Sequence, residues 1–266
     1  MLIIIDNIVI KFITAQIIKT TLYFLVWYCG GLLVLKKGVK VNYTRKINHF
    51  SLLFIPFILD MILKASPSTG NESTGSMQSD ILFSALGLLL GLSYLLLFIP
   101  PIRNRISILN TAFMSIDRPE DRPYTLLWIS TQTAANFLVT IPFSTYLLLI
   151  NRMELIFIVM LINGFGDGLA EPIGIRFGKH KYETRALFTK RKYVRSIEGS
   201  TCVFIAALLA IIIFRMSFSP IQFLVALITI PIVMTLAEAF APHSWDNPFL
   251  SLVGEISLFL IIEFLG

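Results

Sequence analysis

Long apolar blocks alternate with short polar segments along the chain. The blocks run at roughly 12–35, 50–64, 81–101, 125–150, 153–172, 200–216, 218–240 and 248–265. A helix rises about 1.5 Å per residue, so about 20 apolar residues cross a hydrocarbon core of about 30 Å. The pattern predicts an all-α, polytopic integral membrane helical bundle of about eight transmembrane helices. The count falls to seven if the short block 50–64 or the tight break near Ser217–Pro220 does not separate two spans. Most β-branched runs lie inside these blocks, which favours helices over a barrel. The stretch "ASPSTGNESTGSMQSD" (65–80) is the linker-like segment, and the sequence shows neither an internal repeat nor a soluble domain.

Composition agrees with the pattern. The 266 residues are 56% hydrophobic and 14% charged, with a mean hydropathy of +0.79. A soluble domain carries about 25% charged residues. Cys29 and Cys202 both lie in apolar blocks and imply no disulfide framework or cysteine metal site. The N-terminus is apolar from Leu2 onward without a basic leader region, and reads as a retained helix.

Charge then sets the orientation. Lys36, Lys37, Lys40, Arg45 and Lys46 fill the first loop, and Arg103, Arg105, Arg118 and Arg122 the third. Eight more, from Arg176 to Arg195, fill the fifth. With eight spans these fall on one face, which the positive-inside rule makes cytoplasmic, and both termini lie on the non-cytoplasmic side. The net charge of +6 therefore reflects topology, and nucleic acid is not an expected partner.

The acidic residues carry more information, because that rule does not place them. Asp117, Glu120, Asp121, Asp167, Glu171, Glu198, Glu238 and Asp246 share the basic face. In "NGFGDGLAEPIG" (163–174), Asp167 and Glu171 are four apart and share one side of a helix. An ionisable group near a helix centre costs about 2.5–3.5 kcal/mol on insertion scales. Gly164, Gly166 and Gly168 permit close approach of backbone or phosphate. Two neighbouring carboxylates repel unless a cation lies between them, which suits Mg²⁺ held by carboxylates and substrate phosphates. "RSIEGS" (195–200) offers Arg195, Ser196, the Gly199 backbone and Ser200 as phosphate donors, with Glu198 left for a metal or a base role. "EAFAPHSWDN" supplies Glu238, Asp246 and Asn247, oxygen ligands suited to a hard cation.

Soluble nucleotide folds are not indicated. "GFGDG" lacks the dinucleotide spacing, and "GIRFGKH" is one residue short of a P-loop and lacks its Ser/Thr.

Together these segments resemble the polyprenol kinase family, which includes phytol and dolichol kinases. The family pattern matches at Gly166, Asp167, Ala170, Gly174, Gly178 and Lys179, then at Ser196, Glu198, Gly199 and Ser200, then at Glu238, Asp246 and Asn247. An early Arg-Lys-x-x-His matches at Arg45, Lys46 and His49. The family's Lys before Ser196 is Arg195 here, and the acid after Ala170 is Glu171 where many phytol kinases have Asp.

The resemblance implies a single transmembrane catalytic domain over 1–266, with a motif-bearing core at about 45–250. It implies transfer of the γ-phosphoryl group of CTP to an isoprenoid alcohol drawn from the bilayer, with Mg²⁺. In that reading Asp167, Glu198 and Lys179 are catalytic. Asp167, Glu171, Glu238 and Asp246 hold the metal. Gly166, Gly168, Gly174, Gly178, Lys181, Arg195, Ser196, Gly199 and Ser200 meet the nucleotide phosphates. Arg45, Lys46, His49, Arg118, Asp121, Arg122 and Asn247 are accessory. The site faces the cytoplasm, in the plasma membrane of a prokaryote or the endoplasmic reticulum or plastid membrane of a eukaryote. A CTP-dependent diacylglycerol kinase and a phosphatidate cytidylyltransferase are the alternatives. A transporter of an anionic solute is a more distant one.

Overall fold

The computed structural model describes residues 2–63, 86–87, 89–186, 192–243 and 245–265. The linker 65–80, the start of the predicted 81–101 span, and Lys190 and Arg191 of the fifth loop lie outside them. The chain divides into two compact units, Met1–Leu126 and Leu127–Gly266.

In the first unit, α1 (Leu2–Lys37) places Lys36 and Lys37 in its last turn, where cations complement the helix dipole. Gly38 follows at φ +64°. Next comes α2 (Val41–Leu63), which carries Pro56 and takes in residues 50–63 of the predicted 50–64 block. A single turn at Pro100–Arg103 leads to α3 (Ser107–Met114). Helix α1 packs on both α2 and α3. The approach to α3 is so close that a Cβ on Gly31 would sit 1.7 Å from the Thr111 carbonyl oxygen. Trp27, Phe98 and Phe113 pack as a series of tilted rings nearby, with centroids 5.4 and 5.7 Å apart. The Arg103 guanidinium lies 3.7 Å over the Phe113 ring.

The second unit opens along α4 (Thr125–Leu149). The predicted 153–172 span is not one regular helix. It runs as α5 (Ile156–Leu161), a π-helical turn over Ile162–Asp167 and α6 (Gly168–Phe177). Such π-turns are frequent at functional sites, and this one delivers Asp167.

A departure from the all-helical expectation follows. β1 (Lys181–Arg185) and β2 (Lys192–Ser196) form an antiparallel hairpin, with Tyr182 opposite Arg195 and Thr184 opposite Tyr193. The inward face carries Tyr182, Thr184, Tyr193 and Arg195, and the charged residues Lys181, Glu183, Arg185 and Lys192 point outward. That is the two-residue period of a half-buried strand.

Helix α7 (Ile197–Ile213) follows β2 directly. A 3₁₀ turn at Arg215–Ser217 and a capping box of Ser219 and Gln222 start α8 (Pro220–Phe240), which settles the tight break as two helices. Last is α9 (Asp246–Phe264). The core is apolar: Leu155, Ile158, Ile162, Val203, Ile230 and Leu250 are among its buried members.

The protein is nearly all-α, and among the described residues four helical stretches are long and apolar enough to cross a membrane. These are Phe12–Lys37, Met153–Phe177, Pro220–Phe240 and Asp246–Phe264; Ile197–Ile213 is a shorter apolar helix.

Candidate functional site

The second unit gathers its polar groups where α8 ends, α7 begins and the hairpin folds over both. At the centre is Arg195, extended from β2. Its Nη1 donates to the Glu238 backbone carbonyl and, at 2.8 Å, to Glu238 Oε1. The other carboxylate oxygen, Oε2, accepts from Ser200 Oγ at 2.6 Å. Ser200 lies one turn into α7 and is 2.6 Å from the Tyr182 hydroxyl on β1. Asp246 Oδ2, at the first residue of α9, is 4.0 Å from Arg195 Nη2.

These groups are enclosed: Asp167, Glu238, Asp246 and Ser200 are all buried. Burial alone would lower the Arg195 pKa, but the charges of Glu238, Asp246 and Asp167 outweigh it and hold the guanidinium above its ordinary value. Tyr182 is pushed up first by burial and then by the Glu238 charge, so its phenol keeps its proton as a hydrogen-bond donor.

The predicted residues therefore separate into groups. Asp167, Arg195, Ser200, Glu238 and Asp246 come together. Glu171, one turn beyond Asp167, and Asn247, beside Asp246, are half-buried. Lys179 and Lys181 are exposed at the mouth of the hairpin. Glu198 turns outward from the first turn of α7. It accepts the backbone N–H of His180 at 3.2 Å and meets His180 Nδ1 at 2.9 Å, so it fastens the α6–β1 turn.

Several of the predicted phosphate-binding glycines face protein. A Cβ on Gly166 would meet Val203 Cα at 3.0 Å, and one on Gly174 would meet Ser196 Oγ at 2.8 Å. One on Gly178 would meet the Gly174 carbonyl at 2.3 Å, and one on Gly199 the Ala170 carbonyl at 2.7 Å. They let α6 lie against α7. Ser196 caps α7 by accepting the Gly199 N–H at 3.1 Å.

The accessory residues Arg45, Lys46, His49, Arg118, Asp121 and Arg122 belong to the first unit. There Arg118 Nε bonds Asp121 at 2.6 Å, Arg122 Nε bonds Asp117 at 2.7 Å, and Thr125 also donates to Asp117.

Sequence reasoning missed Tyr182. The available signal was the alternation "KYETR"/"KYVRS", which faces Tyr182 and Arg195 the same way. His243, which the sequence marks as an interfacial or hydrogen-bonding residue rather than a metal ligand, stacks its ring 3.5 Å from Tyr193 at an interplanar angle of 10°. The His243 N–H bonds the Arg185 carbonyl at 2.9 Å and ties the hairpin to the α8–α9 loop. A cavity of about 400 Å³ opens beside them, lined by Thr184, Arg185, Ala239, Phe240 and Pro242.

The donor chemistry fits a hard divalent cation. Three buried carboxylates, Asp167, Glu238 and Asp246, surround one guanidinium. Among the described residues no three His, Cys, Asp or Glu side chains converge closely enough to cage an ion by themselves. Mg²⁺ does not require such a cage, since it usually binds one or two carboxylates and completes its shell with water and substrate phosphate. Comparison with protein-family models, curated proteins and solved structures gives no match for this chain.

Proposed function

We propose that the chain is an integral-membrane lipid kinase that transfers the γ-phosphoryl group of CTP to the hydroxyl of an isoprenoid alcohol. The observation that carries this reading is the buried Arg195, set among Glu238, Asp167 and Asp246 at the ends of apolar helices. A guanidinium is suited to phosphate oxygens, and flanking carboxylates suit the metal that accompanies a nucleoside triphosphate.

In this reading Glu238 and Ser200 position Arg195. Lys179 and Lys181 draw the triphosphate in from the aqueous side. Asp167 and Asp246, with Glu171 one turn on, would hold Mg²⁺, which neutralises phosphate charge when bound. The alcohol oxygen bonds to the γ-phosphorus as the bond from that phosphorus to the β–γ bridging oxygen breaks. CDP departs, and the alcohol proton passes to a carboxylate or to water. Such transfer depends chiefly on positioning and electrostatic stabilisation. The cavity beside the hairpin, at about 400 Å³, falls within the usual range for small-molecule sites and is assigned to the nucleoside. The topology proposed with this function is eight spans, a cytoplasmic site and both termini outside.

The test uses purified protein, Mg²⁺ and CTP labelled at the γ- or the α-phosphate, with phytol, a polyprenol, dolichol, diacylglycerol and phosphatidate as acceptors. Transfer of γ-label to an isoprenoid alcohol is expected. Transfer of γ-label to diacylglycerol alone makes the chain a diacylglycerol kinase. Transfer of α-label to phosphatidate makes it a cytidylyltransferase. No transfer by folded protein removes the enzyme reading.

A further inference from the structure

Helix α9 carries a carboxylate at its midpoint. Glu255 is the tenth of its nineteen residues and is 3% exposed. A charged group at that depth is costly and is retained for a reason. Thr140 Oγ1 of α4 donates to Glu255 Oε1 at 3.0 Å. Oε2 is buried and has no hydrogen-bond partner among the described residues.

A second polar layer lies one turn away, about 5.4 Å along the helices. Ser251 Oγ donates to Asn136 Oδ1 at 2.8 Å and is itself 2.8 Å from Asn163 Nδ2 of the π-turn. The pairs Asn136/Thr140 on α4 and Ser251/Glu255 on α9 are each four residues apart, so each pair shares one face. Helices α4 and α9 thus turn a seam of oxygens toward one another, with the Asn163 amide N–H donating into it from the π-turn.

Among the described residues the carboxylate has no cationic partner to neutralise it. Helix α9 packs against α8, α5 and the π-turn, and α4 reaches it through Thr140. None of α4, α5, the π-turn, α7, α8 or α9 contains a Lys, Arg or His. The other charged groups on the packed elements are Asp167 on the π-turn and Glu238 on α8, with Asp246 and Glu263 on α9 itself, and all are acidic. Arg152 and Arg215 lie beyond the helix ends. Arg152 is paired to Glu154 at 3.0 Å, and Arg215 lies over the Phe223 ring.

An ionised Oε2 buries an unpaired charge, and a protonated Oε2 buries a donor without an acceptor. A bound cation answers both. One carboxylate with neutral hydroxyl and amide oxygens matches a single positive charge on a hard ion.

We propose that Glu255, Thr140, Ser251 and Asn136 form an intramembrane site for an alkali-metal cation, separate from the Arg195 cluster and independent of the reaction assigned there. The ion locks α4 to α9.

The test is thermal unfolding of the full chain in detergent, titrated with sodium, potassium or choline chloride at constant ionic strength, together with binding of labelled sodium. A saturable rise in midpoint with sodium or potassium, absent with choline, is expected. Glu255→Gln should weaken the apparent affinity by at least about tenfold, equivalent to about 1.4 kcal/mol. Thr140→Val keeps the carboxylate, and should weaken the response even if Glu255→Gln fails to fold. An equal response to choline, or an unchanged ion response in either folded variant, overturns the site. So does a midpoint that follows pH alone, which would mark Glu255 as a proton site.

Discussion

Arg195 grips Glu238 twice, at the backbone carbonyl and at the carboxylate, and so fastens strand β2 to the end of helix α8. Both side chains are almost enclosed, 12% and 5% exposed. Removing one member of a buried pair strands the other charge, at a cost of about 3–5 kcal/mol. Arg195→Ala is expected to lose that much stability in denaturant unfolding. Pairing it with Glu238→Gln should give a loss well short of additive, since the stranded charge is then gone. Arg195→Lys keeps the charge but loses the fork, and should hold more stability than Arg195→Ala while remaining deficient in phosphoryl transfer.

Among the described glycines, Gly31 makes the tightest contact. A methyl group there would lie 1.7 Å from the Thr111 carbonyl oxygen, whereas one on Gly91 meets nothing within 4 Å. Gly31→Ala must therefore push α3 away from α1, and a loss at the upper end of the usual overpacking range, about 3 kcal/mol or more, is expected. Gly91→Ala should be neutral or stabilising by up to about 1 kcal/mol, because alanine favours the helix. The unfolding midpoints of the two variants provide the comparison. Similar midpoints would contradict the α1–α3 contact.

The extent to which the chain was legible follows from the range of the forces involved. Apolar runs act over consecutive residues, so α8 and α9 could be read from the sequence almost to their ends. The π-turn could not, because "NGFGD" fits an ordinary helix end equally well until α7 closes on Gly166 through Val203 and Ala206. The hairpin was hidden by its own charge. Lys181, Arg185 and Lys192 read as a positive-inside loop, and the alternation that buries Tyr182, Thr184 and Arg195 spans only five residues per strand. Arg195, Ser200, Glu238 and Asp246 were nominated individually from motifs. Their pairing joins residues 38 and 43 apart, which no local pattern encodes. Glu255 had a local signal, an acid at the centre of an apolar run, but stood outside the motifs that drew attention to the other acids.

Tyr182 supplies a pH test. Its pKa is raised by burial and then by Glu238. A raised folded-state value means that the unfolded chain gives up the proton first. The contribution to stability is complete below the unfolded value of about 10 and is lost as pH rises through the folded value. Unfolding midpoints of the parent and of Tyr182→Phe should therefore differ by a constant amount up to about pH 9. Above about pH 10 the parent should lose stability relative to the variant. Parallel curves across that range would mean that Tyr182 ionises as freely in the fold as outside it.

Ser219 and Gln222 close the start of α8 reciprocally. Gln222 N–H donates to Ser219 Oγ at 3.3 Å, and Ser219 N–H donates to Gln222 Oε1 at 3.0 Å. Ser219→Ala removes one acceptor and should cost about 1 kcal/mol, whereas Ser219→Gly should cost only a few tenths. The difference is readable by denaturant unfolding. Phosphoryl transfer should be unchanged, because the cap lies at the opposite end of α8 from Glu238.

Asp167 decides between chemistry and architecture. It leaves the π-turn buried at 4% exposure and contributes to the field that holds Arg195 charged. Asp167→Asn preserves the shape but removes the charge. If Asp167 serves the metal and the phosphates, γ-label transfer should fall by at least about 100-fold, the scale on which single electrostatic groups act in such sites. Yield and unfolding midpoint should stay near the parent's, and a chelator should reduce the parent's transfer to the same floor, restored by added Mg²⁺. If Asp167 instead only balances Arg195, the variant should lose stability while each folded molecule keeps most of its transfer rate and its response to chelator. Activity per folded molecule, measured beside the midpoint, separates the two roles, and near-normal transfer in Asp167→Asn would remove Asp167 from the site.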